Sequence, residues 1–484
     1  MAAASSAATP PIPERLKADR PRARVIVIGA GLAGIIAAQR LGKLPIDVTV
    51  LDRTNHHTFQ PLLYQVALAV LSPGDIAQPI RSILSSATNT EVMMDEALGI
   101  DTVARRIRLK SGAEMLYDYL ILATGSTHSY FGHDEWAELA PGLKTLEDAT
   151  EIRRRVLLAF ELAERQKLET GAHPPLQFVI VGGGPTGVEL AGAISDIARL
   201  YMTRDFRHID TKTAEVLILE GSPHILGMYP EDLQQKALDQ LTALGVRVRT
   251  NAHVTGIEPG CVLVGPPGHQ ERIESICTLW AAGVQASPLG KLLAKTPGVE
   301  LDKKASVIVN QYLNPKNLPE VFVCGDLAHF EQDGKQVPGV AQPAMQMGDY
   351  AARRIGLLIA DSDKAARMKP FRYFDKGDMA TIGRKAAVAR IAWPFHAHWS
   401  GFLAWAIWLV VHIFFLISFR NRLSVFSQWA YTYLCRRDGV RLIVGSQALP
   451  GWDRLAEAPT PHTDGQTEAA SALLAAAHPP GETS

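Results

Sequence analysis

Apolar residues along the chain gather in short, β-branched runs that break at glycine. Ala23–Ile28 is the first run, followed at once by Gly29-Ala30-Gly31-Leu32-Ala33-Gly34. Helical spacing then extends to about Leu41, and Asp47–Leu51 predicts a second strand with Asp52 at its end. Tyr117–Ala123 reads as a further strand entering Thr124-Gly125. The order then restarts. Leu176–Val181 predicts a strand, Gly182-Gly183-Gly184-Pro185-Thr186-Gly187 a turn, and the following residues a helix through Leu200. Val216–Leu219 predicts a strand ending at Glu220, and Thr278–Gly283 mirrors the earlier Ala-Thr-Gly. Val321–Cys324 is a later strand closing in Gly325-Asp326, and a helix is expected from about Pro343 to Ile359.

Strands alternating with helices predict an α/β fold, here with two Rossmann-like dinucleotide-binding units. Gly29, Gly31 and Gly34, and again Gly182, Gly184 and Gly187, have the spacing that lets backbone approach a pyrophosphate at a helix N-terminus. One such motif alone is equally well a tight strand–helix turn. Two copies, each after a strand and before a strand with a terminal carboxylate, favour two nucleotide sites. Asp52 and Glu220 are the expected ribose ligands. A carboxylate at Glu220 repels a 2′-phosphate, and no Lys or Arg lies between Gly221 and Pro230, which favours NADH over NADPH. Two nucleotides in one chain suggest a bound flavin and a transient hydride donor. Asp326, after a glycine at a strand end, suits the ribityl hydroxyls of FAD, although an aspartate there is also a common helix N-cap.

The region 369–441 differs in character. Trp399–Phe419 carries no charge, then Arg420 and Arg422 follow, and Leu423, Phe426, Trp429, Ala430, Tyr433 and Leu434 recur at helical spacing. The charge-free stretch has the length of a spanning helix. Its aromatic stripe also suits an interfacial helix or packing in a core. The chain of 484 residues balances 49 basic against 49 acidic residues, an ordinary globular composition at 47 % hydrophobic and 20 % charged, and zero net charge argues against a nucleic-acid binder. The balance hides a segregation. Residues 369–441 hold eleven Lys and Arg against three Asp and Glu, so a basic, aromatic end joins an acidic remainder, as expected of docking on a cytoplasmic-type membrane face. The four cysteines, Cys261, Cys277, Cys324 and Cys435, include no CxxC pair. A disulfide scaffold and a metal site are not expected. Without a redox pair, electrons must leave for an external acceptor: a quinone, oxygen or a protein carrier.

Four stretches resemble the type II NADH dehydrogenases, the non-pumping NADH:quinone oxidoreductases. They are His56–Ala67, Gly182–Gly192, Ala341–Gln346, and Ala380–Ala387 running on into Ser400–Trp405. The resemblance covers about residues 23–445. It implies FAD in the first unit, NADH in the second, a membrane quinone as acceptor, and a monotopic, often homodimeric protein on a membrane surface. The Ala-, Ser- and Pro-rich residues 1–22 read as a disordered leader and the Ala-, Pro- and Thr-rich residues 450–484 as a disordered tail; between them are expected an FAD domain over 23–145 and 291–368, an NADH domain over 146–290 and a membrane-anchoring region over 369–449. The family's quinone motif maps onto Gln342 and Gln346, its glutamate in proton relay or substrate linkage onto Glu189, and a lysine near the quinone pocket onto Lys385. Read from the residues alone, Glu189 is a solvated first-turn glutamate and Lys385 a surface cation. Met345 stands where some members carry His, which leaves the source of quinone protons open. A membrane-tethered NAD(H) sensor and an oxygen-using NADH oxidase are the competing readings. Sulfide:quinone oxidoreductases share the architecture but need catalytic cysteines.

Overall fold

The computed structural model describes residues 22–172, 175–394, 396–435 and 440–444. All of the expected leader except Arg22, the whole expected tail, and the side chains of Tyr433, Leu434 and Cys435 lie outside the described residues. The first unit runs β1 (Arg24–Ile28), α1 (Leu32–Leu41), β2 (Asp47–Asp52), a short α2 (Leu63–Ala67), β3 (Thr90–Met94) and β4 (Tyr119–Leu122). A long helix, α3 (Leu146–Thr170), leads away from it, opened by a reciprocal cap between Thr145 and Asp148. The second unit repeats the order: β5 (Gln177–Val181), α4 (Pro185–Asp196), β6 (Glu215–Leu219), α5 (Glu231–Ala243), β7 (Val246–Arg249) and β8 (Cys277–Trp280). The chain then returns to the first sheet as β9 (Val321–Val323) and continues into α6 (Ala341–Ala360).

Both main sheets are parallel, in the orders β9-β4-β1-β2-β3 and β7-β6-β5-β8. Helices cover both faces of such sheets, so the strands read as unbroken apolar runs rather than alternating ones. Val25, Ile26 and Val27 of β1 and Phe178, Val179 and Ile180 of β5 are buried accordingly. In each unit the strand before the glycine turn lies between the strand that follows its helix and one that arrives later. The winding reverses there, which opens a crevice at the carboxyl ends of the strands. Helix α6 rests directly on α1: a Cβ on Gly348 would lie 2.2 Å from the Ala33 carbonyl oxygen.

Two expected elements differ. The helix after the second glycine turn ends at Asp196 and continues as a π-helical turn, Ile197–Tyr201. Here Ser195 Oγ donates to the Leu244 carbonyl at 2.6 Å and Arg199 to that of Ala214 at 3.3 Å, tertiary bonds that act where the helical ladder widens. The charge-free stretch Trp399–Phe419 is not one helix. A three-stranded antiparallel sheet, β10 (Gly377–Thr381), β11 (Ala387–Ile391) and β12 (Ala397–Ser400), takes its first residues, with Trp399 opposite Ala389 and Ser400 opposite Val388. α7 (Gly401–Phe415) is 15 residues long, about 22 Å at 1.5 Å per residue against the ~30 Å of a hydrocarbon core. Leu416 turns extended and buried, its carbonyl held by Arg422 Nε at 2.8 Å, and the left-handed Ser418 starts α8 (Phe419–Cys435). Among the described residues no helix is long and apolar enough to cross a membrane, so the spanning alternative is not met.

Candidate active site

The two glycine turns are built alike. A Cβ on Gly34 would lie 1.8 Å from the Gly29 carbonyl oxygen, and one on Gly187 1.9 Å from that of Gly182. Any side chain there would push the helix off its strand. Gly31 and Gly184 face the other way: a Cβ on Gly184 would meet nothing within 4 Å, and one on Gly31 only the Ala123 carbonyl at 4.0 Å. Both helix N-termini therefore open onto free space.

The strand-end carboxylates tie each turn in place. Asp52 accepts from the Ala30 N–H at 2.6 Å and from the Thr54 N–H and Oγ1 at 2.8 Å. Glu220 accepts from the Gly183 N–H at 2.6 Å, the Ser222 N–H at 2.7 Å and Ser222 Oγ at 2.5 Å. The two units meet through their post-strand segments, where Ser126–His128 pairs antiparallel with Val284–Ala286. This seam holds Thr124, whose Oγ1 meets Ser287 Oγ, the left-handed Gly125, and Gly283, whose carbonyl accepts the Ser129 N–H at 3.3 Å. Asp326 reaches it from the first sheet and accepts from Ser126 Oγ at 2.7 Å, while Lys144 Nζ donates to that same oxygen at 3.0 Å. Thr186 lies in the first turn of α4 behind Pro185.

Glu189 is the largest departure from a plain reading of the sequence. It sits in the second turn of α4 and keeps some accessible surface, yet protein surrounds it densely. That combination suits a residue on the floor of a cleft. Burial pushes its carboxyl up to about 8, opposed by a hydrogen bond from the Thr381 N–H. It is therefore not the solvated, ionised first-turn glutamate that residue type and helix dipole suggest, because desolvation outweighs the dipole.

Beside α6 lies a cavity of about 550 Å³ lined by Gln342, Met345, Gln346, Lys376 and Phe415, among others. Gln346 is already engaged: its Nε2 donates to the Phe374 carbonyl at 3.0 Å and its Oε1 accepts the Phe374 N–H at 2.9 Å. The clamp fixes the wall of the cavity and leaves one Nε2 hydrogen for a ligand. Lys385 is exposed at the tip of the β10–β11 hairpin and does not line this cavity. Lys376 does, with Nζ 5.8 Å from the centre of the Phe415 ring. Sequence reasoning passed over Lys376, and the signal that could have found it is its place just before Gly377, where a strand enters the hairpin. It also passed over Tyr64 and Gln65, inside a quoted motif but assigned no role, and His57. His57 is buried, with Nδ1 2.8 Å from the Ala30 carbonyl and Nε2 unpartnered.

Cys261, Cys277 and Cys324 are buried and unpaired. Burial pushes the Cys277 thiol up to about 12 and that of Cys324 higher still. Neither is poised as a thiolate.

Residues 23–348 match the pyridine nucleotide-disulphide oxidoreductase family, and 376–438 match the NDH2 C-terminal domain. The chain is 41 % identical over 458 residues to the type II NADH:quinone oxidoreductase Ndh of Mycobacterium tuberculosis, covering 94 % of this chain and 97 % of that one. It belongs to the type II NADH dehydrogenase family. A probable NADH dehydrogenase of Dictyostelium discoideum is 29 % identical over 425 residues, 86 % of this chain and 90 % of the relative. Among solved structures, NDH2 from Plasmodium falciparum in complex with NADH superposes with a TM-score of 0.77 at 19 % identity, covering 88 % of this chain and all of that one. The sulfide:quinone oxidoreductase of Aquifex aeolicus gives 0.65 at 18 %, covering 89 % and 98 %. These two likenesses concern the fold. The residues present fit the dinucleotides of the family: two glycine cradles with open space at their helix N-termini, two clamped carboxylates, and an unpartnered buried nitrogen of His57 against the first cradle.

Proposed function

We propose that this chain is an FAD-dependent NADH:quinone oxidoreductase that reduces a membrane quinone to quinol without pumping protons. The observation that carries the reading is the duplicated, carboxylate-clamped glycine cradle in a sequence without a CxxC pair. FAD bound in the first unit would supply the hydride acceptor for NADH and the two-electron donor for the quinone. Gly29, Gly31 and Gly34 form its pyrophosphate cradle, with Asp52, Thr124, Gly125 and Asp326 around it. Gly182, Gly184, Thr186 and Gly187 hold the pyrophosphate of NADH, Glu220 its ribose, and Gly283 the seam. Glu220 presents negative charge where NADPH would place a phosphate.

Quinone enters the cavity beside α6. Gln342 and the remaining Nε2 hydrogen of Gln346 donate to its carbonyls, and the Lys376 ammonium stabilises negative charge that builds on the reduced ring. Lys385, exposed on the hairpin tip, takes no part in this account. Glu189 lies outside the lining of this cavity; its carboxyl, pushed up to about 8 by burial, holds a proton at neutral pH, and the family resemblance assigns it to proton relay. Domain limits at 23–145, 146–290, 291–368 and 369–449 remain part of the proposal.

The protein docks on the membrane surface. Phe402, Val410 and Phe414 of α7 and Phe419, Leu423 and Phe426 of α8 all expose more than half of their surface, beside the basic residues of this region. Such apolar exposure on two successive helices of a basic end suits an interfacial anchor. The family resemblance extends the proposal to a homodimer on the cytoplasmic face.

Stopped-flow absorbance of the FAD-loaded protein near ~450 nm tests the reading. NADH bleaches the flavin much faster than NADPH, and a short-chain quinone restores the colour. Bleaching that oxygen reverses but quinone does not would make the chain an oxidase. A stable bleached complex with neither would make it a sensor.

A further inference from the structure

A buried thread of hydrogen bonds runs from the C-terminal helix α8 to Thr381, whose N–H faces Glu189. Trp429 Nε1 on α8 donates to Gln65 Oε1 at 2.7 Å. Gln65 Nε2 donates to Tyr64 Oη at 2.9 Å, and Tyr64 Oη shares a hydrogen with Thr381 Oγ1 at 3.0 Å. The Thr381 N–H faces the Glu189 carboxyl and favours its charged form, on the face where α4 packs against the hairpin, a Cβ on Gly192 lying 2.7 Å from the Gly383 nitrogen. Each of the four intervening residues is buried: Trp429 3 %, Gln65 5 %, Tyr64 7 % and Thr381 3 % exposed. The arrangement follows from the strand register. β10 is an edge strand, its bonds to β11 pass through residues on either side of Thr381, and the Thr381 N–H therefore points outward toward α4. Rings brace the thread: Trp408 of α7 stands edge-on to Tyr64 at 6.4 Å and lies 5.6 Å from Trp429.

We propose that Trp429 is a positioning residue for Glu189, acting through Gln65, Tyr64 and Thr381, so that the seating of α8 sets the environment of Glu189. The proposal rests on the assignment of Glu189 to the reaction only for its effect on turnover. The thread cannot carry a proton from end to end, because the indole N–H, the primary amide and the backbone N–H do not exchange donor and acceptor roles. Its action is geometric. A hydrogen bond to the carboxylate favours the ionised form, so loosening the Thr381 contact raises the pH at which Glu189 ionises. The other titratable or charged groups facing this region are Tyr229 before α5, Asp378 of β10, Arg390 of β11, which pairs with Asp378, and Asp196 with Arg384 at the far end of α4. None belongs to the thread, and its disruption leaves them in place.

The test uses the full-length, FAD-loaded protein with Trp429→Phe, which keeps the ring and removes the donor, and with Tyr64→Phe, which cuts the thread one link further in. The titration of Glu189 is read as the carboxylic C=O infrared band that Glu189→Gln abolishes. Both variants move its midpoint upward by about half a unit or more, and the alkaline limb of quinone-dependent flavin reoxidation moves with it. Tyr431→Ala, exposed on α8 and outside both the thread and the apolar anchor, moves neither. An unmoved infrared midpoint in both Phe variants overturns the proposal, whatever their thermal stability. A moved midpoint with an unmoved reoxidation profile upholds the positioning and refutes the role of Glu189 in turnover.

Discussion

Replacing Glu189 by Gln tests the central electrostatic argument. The Glu189 carboxyl is raised from 4.5 to about 8 because burial costs the charged form more than the Thr381 N–H returns. A folded-state value above the unfolded one means that the folded protein binds a proton the unfolded chain does not, between about pH 4.5 and 8. The stability from this group is full below the unfolded value and falls as pH rises through the folded one. At about 1.4 kcal/mol per unit, the loss is on the order of 5 kcal/mol across that window. Glutamine mimics the protonated form and does not titrate. The assay is the urea midpoint for release of flavin fluorescence, measured from about pH 5 to about pH 9. Wild type and Glu189→Gln match at the acidic end, and the variant becomes the more stable by several kcal/mol at the alkaline end. The same variant is reduced by NADH at the wild-type rate but reoxidised by quinone at least about tenfold more slowly, for want of an acid. Parallel urea midpoints across the whole range would refute the burial argument.

Three further outcomes follow from the geometry. Glu220→Arg removes the clamp on the second glycine turn and offers a cation to a 2′-phosphate, so kcat/KM for NADH falls by about a hundredfold or more while that for NADPH rises; steady-state kinetics with both donors decides it. Gly187→Ala forces a methyl group against the Gly182 carbonyl 1.9 Å away, so NADH binding is lost while flavin content, read from absorbance, is retained. Replacing Phe402, Phe414 and Phe419 together by Ser removes three exposed rings worth roughly 1.5–3 kcal/mol each when buried, and co-sedimentation with anionic vesicles should fall by about two orders of magnitude or more. Vesicle binding that survives this triple change would mean that another surface docks.

The local and the long-range parts of this protein separate cleanly. Hydrophobic runs, glycine spacing and terminal carboxylates are short-range features, and they made both strand–turn–helix units legible in the sequence, with Asp52 and Glu220 at or just past the ends of their second strands. The end of α4, the division of Trp399–Phe419 and the state of Glu189 were not legible. Each depends on partners distant in sequence: Leu244 and Ala214 at the helix end, β11 pairing with β12, and Thr381 against α4. Lys385 and Lys376 carry the same lesson. One precedes the hairpin and the other sits at its tip, and only its docking decides which ammonium reaches the cavity. By itself the sequence determined where backbone can approach a phosphate, because that requires glycine at fixed spacing and a helix that starts there. Tertiary structure alone decided which acid keeps its proton and which helices stop short of a membrane's thickness, because desolvation and strand pairing come from neighbours that the chain brings together only on folding.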